Sequence, residues 1–295
     1  MRIGLIGNGY WARVTHAAGL HRQPAVTFAG VWGRDPAKSD PIVAEYGVTA
    51  YAELQDLFDD VDAVAFSVPP QVQAELALTA ARQGKHLLLE KPIALSGESA
   101  RRLEAAVSDN DLACLVFFTS RFDPGMRAWV EQVAATSGWD GASGLWLGSA
   151  FGAGSPFDTP WRHEQGGLWD VAPHALSLVA GCLGPITDIV ARPGPRDLVQ
   201  LLMQHRSGAV SSYAVSIDTP GVCRNNLVIW GDSGAREASA ATVDPPAALA
   251  AAAGELAQLA ARQVREHPCG VRFGREVVEL LERAQAQLNG ASGSP

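Results

Sequence analysis

The chain has 295 residues, of which 47% are hydrophobic and 18% charged, and its net charge is −8 at pH 7. This length predicts two domains with sizeable cores. The spread of acidic residues argues against nucleic acid or an anionic membrane surface as a partner. The four cysteines lie far apart, so neither a zinc site nor a secreted disulfide framework is expected. Since no run approaches the ~20 apolar residues of a membrane span, we expect a cytoplasmic protein without a bound metal.

The first motif follows the first predicted strand. An apolar run over residues 2–6 leads into Gly-Asn-Gly-Tyr-Trp-Ala and then into a helical stretch to about residue 21. A strand, a G-x-G-x-x-A turn and a helix form the dinucleotide-binding fingerprint. The first two glycines permit the tight turn and the close approach of a pyrophosphate, and the helix N-terminus favours an anion. The expected cofactor contacts in this turn are Gly7, Asn8, Gly9, Tyr10, Trp11 and Ala12.

The end of the second predicted strand bears on which cofactor binds. After residues 26–32 the chain reads Gly33-Arg34-Asp35. NAD sites usually place an acidic residue here, which accepts a hydrogen bond from the 2′-hydroxyl of the adenosine ribose. A small residue followed by Arg instead suits the 2′-phosphate of NADP. We therefore favour NADP(H), with Gly33 and Arg34 as contacts. The alternative is that Arg34 is a solvated loop residue and Asp35 serves an ordinary NAD(H) site.

Two further predicted strands end at the same edge. The run over 62–68 stops at two prolines, a helix follows over 71–84, and the run over 86–90 stops at Glu-Lys-Pro. This alternation predicts a doubly wound parallel sheet, a Rossmann domain over residues 1–119. Ligands of such sheets bind outside the carboxyl ends of the strands. The expected cofactor contacts here are Ser67, Val68, Pro69, Gln73, Glu90 and Lys91.

The remaining chain, 120–295, is expected to form an α+β domain with an open, mostly antiparallel sheet. Its expected strands cover residues 144–151, 186–192, 197–205, 209–218 and 226–230. Residues 152–167 are expected to form a long loop, a feature that is usually functional or mobile. Helices that begin near residues 246 and 274 close the chain, and the last is expected to pack back on the first domain.

Four segments together resemble a known family. GLIGNGYWA, DAVAFSVPP, GKHLLLEKP and GGLWDVAPHAL are similar to segments of the glucose-fructose oxidoreductase and inositol dehydrogenase family, often written Gfo/Idh/MocA. The resemblance implies an NAD(P)-binding first domain, a second domain that receives sugars, polyols or related molecules, and an oligomer. It also implies a catalytic group of Lys91, Asp170 and His174. In two departures, Asp-x-Gly-x-His becomes Asp-Val-Ala-Pro-His, and a histidine usual after the fourth strand is Gln73.

The residue types of this group suit hydride transfer to or from a carbinol carbon. A histidine, whose ordinary pKa is ~6.5, exchanges a proton near neutral pH, and Lys91 can stabilise alkoxide character on the oxygen. Which of Lys91 and His174 carries the proton is left open. Asp170 is expected to cap a helix and to orient the imidazole. The competing interpretation is a capping Asp and a satisfied core His.

Flat aromatic faces in the second domain suit the C–H faces of a sugar or another ring. The expected substrate contacts are Arg121, Trp161, Arg162 and Trp169. For Arg121 a surface salt bridge is an equal alternative, and Trp146 is as well explained as a core residue. We expect a homodimer or homotetramer formed through the open face of the second sheet.

The leading hypothesis is an NADP(H)-preferring oxidoreductase that acts on a sugar, a polyol or a related small molecule. A second hypothesis keeps the fold but makes the cofactor a transient redox aid in an epimerisation or elimination. A third is a regulator that senses the cofactor without turnover.

Overall fold

The computed structural model describes residues 1–291, which form two compact units. Unit 1 comprises residues 1–123 and 244–275, and unit 2 comprises residues 124–243 and 276–291. Segment 244–275, which the sequence analysis placed in the second domain, is thus grouped with the first unit. Residues 292–295 of the expected second domain lie outside the described residues.

Unit 1 is built on a parallel sheet. Its strands are β1 (Arg2–Ile6), β2 (Thr27–Trp32), β3 (Thr49–Ala50), β4 (Ala63–Phe66), β5 (His86–Leu89) and β6 (Cys114–Val116). The strand order is β3-β2-β1-β4-β5-β6, and every adjacent pair is parallel. The central strands β4 and β5 read as apolar runs because helices cover such sheets on both faces. This order confirms the predicted doubly wound Rossmann fold.

The connections of this sheet are mostly helical. They comprise a π-helical turn (Ala12–Ala17), α1 (Ala18–Arg22), a 3₁₀ turn (Pro36–Ser39), α2 (Asp40–Tyr46), α3 (Leu54–Asp60), α4 (Pro70–Arg82), α5 (Gly97–Asp109) and α6 (Thr119–Phe122). Helix α5 begins after Ser96, whose hydroxyl accepts a hydrogen bond from Ser99 N at 3.2 Å, the usual role of a serine N-cap.

Unit 2 contains a mixed sheet. Its strands are β7 (Trp139–Leu147), β8 (Ile186–Pro193), β9 (Val199–His205), β10 (Val210–Ser216), β11 (Arg224–Gly231) and β12 (Gly234–Ser239). The order is β12-β11-β7-β10-β9-β8. Strands β7 and β10 pair in parallel and the other neighbours pair antiparallel. The mostly antiparallel sheet is therefore confirmed, although β12 was not predicted.

The helices of unit 2 include one that was predicted as loop. The first three are α7 (Pro124–Ala134), α8 (Pro160–Asp170) and α9 (Ala172–Leu183). The expectation of a loop over 152–167 is wrong from Pro160 onward, because proline is compatible with the first turn of a helix. Gly166 interrupts α8 with φ 62° and ψ −167°. The glycine pair therefore makes a sharp bend just before Asp170.

Two helices end the chain, α10 (Pro245–Arg262) and α11 (Val271–Ala291). Helix α10 buries Leu249 and Leu256 together with several alanines and packs on α1 and α6 in unit 1. A Cβ at Gly19 of α1 would lie 2.7 Å from Leu249 Cβ, so only glycine permits this close approach. In the part of the chain that the structure describes, no helix is both long and apolar enough to cross a membrane.

Candidate active site

The turns after the strands of unit 1 meet at one edge of the sheet. Gly7 follows β1, and its N–H donates to Trp32 O at the end of β2 over 2.8 Å. Ser67 follows β4, and its N–H donates to Ile6 O over 2.8 Å. A Cβ on Gly7, whose φ is +120°, would lie 2.2 Å from Ser67 O. Only glycine therefore fits where these two turns cross.

The glycine turn has the shape that a dinucleotide requires. A Cβ built on Gly9 would meet no atom within 4 Å, so the backbone at this position faces open space. The next residue, Tyr10, is 52% exposed. An accessible backbone before a helix is the arrangement that lets a pyrophosphate approach main-chain N–H groups. The residues present thus fit an NAD(P) cofactor.

Asn8 connects the glycine turn to the loop after β2. Its Nδ2 donates to Asp35 O at 2.7 Å and to Ser39 Oγ at 3.0 Å. A Cβ on Gly33 would lie 2.3 Å from Asn8 Cγ, so Gly33 is required beneath this amide. Arg34 is exposed. The carboxylate of Asp35 lies 3.6 Å from Lys38 Nζ, a cation that the sequence analysis did not consider.

Glu90 directs its carboxylate into unit 1. Its Oε1 accepts hydrogen bonds from Trp11 Nε1 at 2.8 Å and His16 Nε2 at 2.9 Å, and its Oε2 accepts one from Lys91 N at 3.2 Å. Burial raises the pKa of this carboxyl, but the hydrogen bond and charge of His16, the charge of Lys91 and the Trp11 N–H together hold it below its usual value. Glu90 therefore supports the backbone of Lys91, and its expected contact with the cofactor stays a prediction.

Gln73, the second departure from the family pattern, also supports the strand end. Its side chain is fully buried. Nε2 donates to Glu90 O at 2.7 Å and Pro92 O at 3.2 Å, and Oε1 accepts from Glu90 N at 2.8 Å. The amide thus binds the backbone on both sides of Lys91. Gln73 thus fixes the backbone of this segment, and its expected contact with the cofactor stays a prediction.

Asp170 lies at the end of α8 and is bound by an arginine. Arg162 Nε donates to Asp170 Oδ2 at 2.7 Å, and Arg162 Nη1 donates to Thr159 Oγ1 at 3.3 Å. The guanidinium carbon lies 4.8 Å from the ring centre of Trp161. The expectation that Asp170 caps the next helix is wrong, since Val171 occupies the N-cap of α9 without a side-chain bond. The bend at Gly166 instead leaves Asp170 as the last residue of α8.

His174 lies in the first turn of α9, and its imidazole stacks on Trp146. The ring centres are 5.0 Å apart and the planes differ by 12°. Trp146 is buried, as its alternative role in the core predicts. Stacking against a flat indole also restricts the orientation of the imidazole ring. Trp146 thus both fills the core and positions a candidate catalytic group.

The glycine pair before Asp170 is fixed by a residue that the sequence analysis missed. Asp197 Oδ2 accepts hydrogen bonds from Gly167 N at 2.9 Å and Ile217 N at 2.9 Å. A Cβ on Gly167 would lie 2.8 Å from Ser216 Cα, so glycine is needed here. The signal in the sequence was an acidic residue, Asp197, in a Gly/Pro-rich connection between two strands. Its hydrogen-bond partners are distant in sequence, so the sequence alone did not indicate them.

The expected substrate contacts occupy different environments. Trp169 is buried and its Nε1 donates to Gln285 Oε1 at 3.1 Å, so this residue is part of the core of unit 2 and not an open ring platform. Trp161 is half-buried. Arg121 lies in unit 1, as does Lys91, whereas Asp170 and His174 lie in unit 2. Among the described residues, no group of His, Cys, Asp and Glu side chains is arranged to hold a metal ion.

Comparisons with known proteins agree with this geometry. Residues 1–118 match the model of an oxidoreductase family with an NAD-binding Rossmann fold, Gfo/Idh/MocA. The 4-carboxy-2-hydroxymuconate-6-semialdehyde dehydrogenase of Sphingobium sp. is 27% identical over 237 residues, which are 75% of this chain and 73% of that protein. The inositol 2-dehydrogenase of Rhizobium meliloti is 33% identical over 129 residues, 43% of this chain and 39% of that protein.

A solved structure extends the likeness to both units. Levoglucosan dehydrogenase in complex with NADH and levoglucosan has the same fold, with a TM-score of 0.84, 18% identity and coverage of 98% of this chain and 97% of that one. Together with the glycine turn at Gly7 and the Glu-Lys-Pro strand end, these findings confirm the predicted resemblance to the Gfo/Idh/MocA family of oxidoreductases, whose model matches residues 1–118.

Proposed function

We propose that this protein is an NAD(P)-dependent dehydrogenase or reductase for a sugar, a polyol or a related small hydroxy or oxo compound. The observation that carries the proposal is the strand end of unit 1, where Lys91 follows a buried strand at the same sheet edge as the open turn at Gly9. Related proteins named inositol 2-dehydrogenase and levoglucosan dehydrogenase support the substrate class.

The cofactor would be held by the backbone of the glycine turn and by the segment Ser67–Pro69. When bound, its nicotinamide supplies the site that accepts or donates the hydride. His174 is the candidate for exchanging the substrate hydroxyl proton, and Lys91 is the candidate for stabilising charge on that oxygen. The ion pair with Arg162 orients Asp170 beside the first turn of α9.

The preference for NADP(H) rests on the loop after β2. The exposed guanidinium of Arg34 is available to a 2′-phosphate, and Lys38 adds a second cation in the same loop. The alternative is an NAD(H) enzyme in which the carboxylate of Asp35 accepts from the 2′-hydroxyl. The Lys38 ammonium lies 3.6 Å from that carboxylate and partly offsets its negative charge. This favours binding of the 2′-phosphate of NADP(H) over the 2′-hydroxyl of NAD(H).

A panel of sugars, polyols and keto compounds, assayed with NADPH and NADH in parallel, tests the proposal. Stoichiometric change in nicotinamide absorbance with one compound class is the expected result. Product without net change in absorbance would instead indicate an epimerase or eliminase that uses the cofactor transiently. Tight cofactor binding without product from any compound would indicate a regulator.

We also propose that two copies associate through the open face of the sheet in unit 2. The register places Leu202, Val210 and Trp230 on that face, and they are 50%, 39% and 41% exposed. Large apolar side chains grouped on one sheet face are typical of protein–protein contacts. Replacing Trp230 and Leu202 with Glu should convert a dimer or tetramer into smaller species in light scattering, and an unchanged mass would contradict this interface.

A further inference from the structure

One buried carboxylate joins two separate turns of the sheet edge in unit 1. Glu90 Oε1 accepts from Trp11 in the turn after β1 and from His16 in the helix that follows, while Glu90 Oε2 accepts from the N–H of Lys91 after β5. Strand β4 lies between β1 and β5. The carboxylate therefore connects the proposed pyrophosphate turn to the lysine across an intervening strand.

The π-helical turn explains why two side chains reach the same oxygen atom. Trp11 and His16 are five residues apart, and in an α-helix such residues point about 140° away from each other. In a π-helix the hydrogen bonds run from residue i to i+5, so residues five apart lie on the same side. The stretch Ala12–Ala17 is π-helical. It therefore directs the indole and the imidazole to one side, toward Glu90.

His16 is buried with one ring nitrogen that lacks a hydrogen-bond partner among the described residues. Its side chain is completely buried, and in residues 1–291 its Nδ1 has no hydrogen-bond partner. The ring otherwise meets Phe117 edge to face, with centres 5.8 Å apart. A buried nitrogen without a partner is uncommon in folded proteins. π-Helical turns also occur frequently at functional sites. Both features indicate that the contact with Glu90 has a role beyond filling the core.

We infer that Trp11, His16 and Glu90 form a coupling cluster through which a nucleotide bound at the glycine turn holds Lys91 in place. The inference rests on the proposed function, because it takes that turn as the nucleotide site. The three are positioning residues. A bound pyrophosphate orders the turn that carries Trp11, the indole holds the carboxylate of Glu90, and the carboxylate holds the backbone N–H of Lys91. Because such coupling is reciprocal, a change at Glu90 that releases the backbone of Lys91 should also weaken nucleotide binding at the glycine turn.

ADP-ribose is the probe for this coupling, because it contains the pyrophosphate but lacks the nicotinamide. Its dissociation constant is measured by calorimetry for the wild type, Trp11→Phe, Glu90→Gln and the double variant. Trp11→Phe keeps the aromatic ring without the N–H. Glu90→Gln keeps the size of the side chain but replaces one acceptor oxygen with an NH₂ donor. That NH₂ must face either the Lys91 N–H or the Trp11 and His16 donors, so at least one of the hydrogen bonds is lost. We expect each single variant to bind about fivefold more weakly or worse, and the double variant no more weakly than the worse single one.

Matched controls separate coupling from general destabilisation. Trp139→Phe removes an equivalent bond, from Trp139 Nε1 to Val133 O at 2.9 Å, in unit 2. It should leave the affinity for ADP-ribose unchanged. His16→Gln retains an N–H donor and should keep more affinity than His16→Leu. If Glu90→Gln does not fold, the same cycle is measured with Trp11→Phe and His16→Leu.

Lysine labelling gives a second readout that needs no activity. The chain contains three lysines, Lys38, Lys85 and Lys91. Lys85 precedes β5 at the opposite edge of the sheet and serves as the internal reference, with its Nζ on Val61 O at 3.0 Å. In the wild type, ADP-ribose should slow the acylation of Lys91 relative to that of Lys85. In Trp11→Phe, the acylation rate of Lys91 should stay the same even when ADP-ribose is saturating.

Two negative results have different meanings. If ADP-ribose binds the wild type and Glu90→Gln equally well, with additive effects in the double variant, the coupling cluster is wrong and the proposed function stands. If neither ADP-ribose nor a nicotinamide cofactor binds the wild type, the proposed function fails and the coupling fails with it.

Discussion

Arg162 Nε donates a hydrogen bond of 2.7 Å to Asp170 Oδ2, and the two side chains are only 17% and 9% exposed. Removing one partner of a buried ion pair leaves the other charge uncompensated, which costs about 3 kcal/mol or more. Arg162→Met should therefore lower the free energy of unfolding by about this amount in urea titrations.

The exposed pair of Arg283 Nη1 and Asp188 Oδ1, 3.8 Å apart, offers the matched control for Arg162. Arg283→Met should change the free energy of unfolding by less than about 1 kcal/mol, because exposed pairs contribute little. If Arg162→Met raises KM without affecting stability, Arg162 is a substrate contact, as first expected, and not the support of Asp170.

Gly9→Ala separates cofactor binding from folding. The added Cβ points into open space, so thermal unfolding should be unchanged, but it occupies the approach of the pyrophosphate. The dissociation constant of NADPH or NADH should rise at least about tenfold. Gly152→Ala, which also adds a Cβ in open space but in unit 2, should change neither property. Unaltered affinity in Gly9→Ala would remove the glycine turn from the site.

His174→Ala tests the proposed acid–base group. Loss of a general acid or base should reduce kcat by ~10²- to 10⁴-fold, while the dissociation constant of the cofactor stays the same. Steady-state kinetics on the substrate found in the panel, together with fluorescence titration of the cofactor, checks both parts. A kcat close to that of the wild type would assign the proton to another group, of which Lys91 is the first candidate.

Arg34→Ala tests the cofactor preference. A charged hydrogen bond contributes on the order of 1.5–3 kcal/mol, so NADPH binding should weaken about tenfold or more. NADH binding should change little, because it lacks the 2′-phosphate. Equal losses for both cofactors would contradict a phosphate contact. Asp35→Asn is the complementary variant, and a selective loss of NADH binding would favour the NAD(H) alternative.

His205 predicts how stability depends on pH. Its Nδ1 lies 2.8 Å from Gly184 O and its Nε2 lies 2.7 Å from Ser211 Oγ. Burial lowers the pKa of His205, outweighing the opposite effect of the bond to Gly184 O. The unfolded chain thus binds the proton first as pH falls, so this contribution to stability is full above the ordinary value of ~6.5 and declines below it.

His205→Gln should flatten the dependence of the free energy of unfolding on pH between about pH 7 and 5. An amide can still donate to the carbonyl oxygen and accept from the hydroxyl, but it does not titrate. Urea unfolding at several pH values measures the slope. A variant with the slope of the wild type would show that His205 does not contribute to it.

Local patterns carried much of the prediction. The G-x-G-x-x-A turn and the strands that stop at polar residues are contiguous signals, since tight turns and buried strands select residue types directly at their own positions. The parallel sheet, the edge shared by Gly7 and Lys91, and the mostly antiparallel second sheet followed from them. The prediction of a loop over 152–167 was wrong in part because proline occurs both in loops and in the first turn of helices. Pro160 begins a helix.

The sequence by itself determined the strand and helix alternation of unit 1, its glycine turn and the resemblance to the Gfo/Idh/MocA family, because these depend on neighbouring residues. Only the tertiary structure decided the partners of the buried charges. Glu90 meets Trp11 and His16 across more than seventy positions of sequence, and the π-helical turn that aligns them has no periodicity that hydrophobic patterning reports. The roles of Glu90 and Gln73 as supports of Lys91 follow from that packing, since a buried polar group takes whichever partner the fold brings within reach.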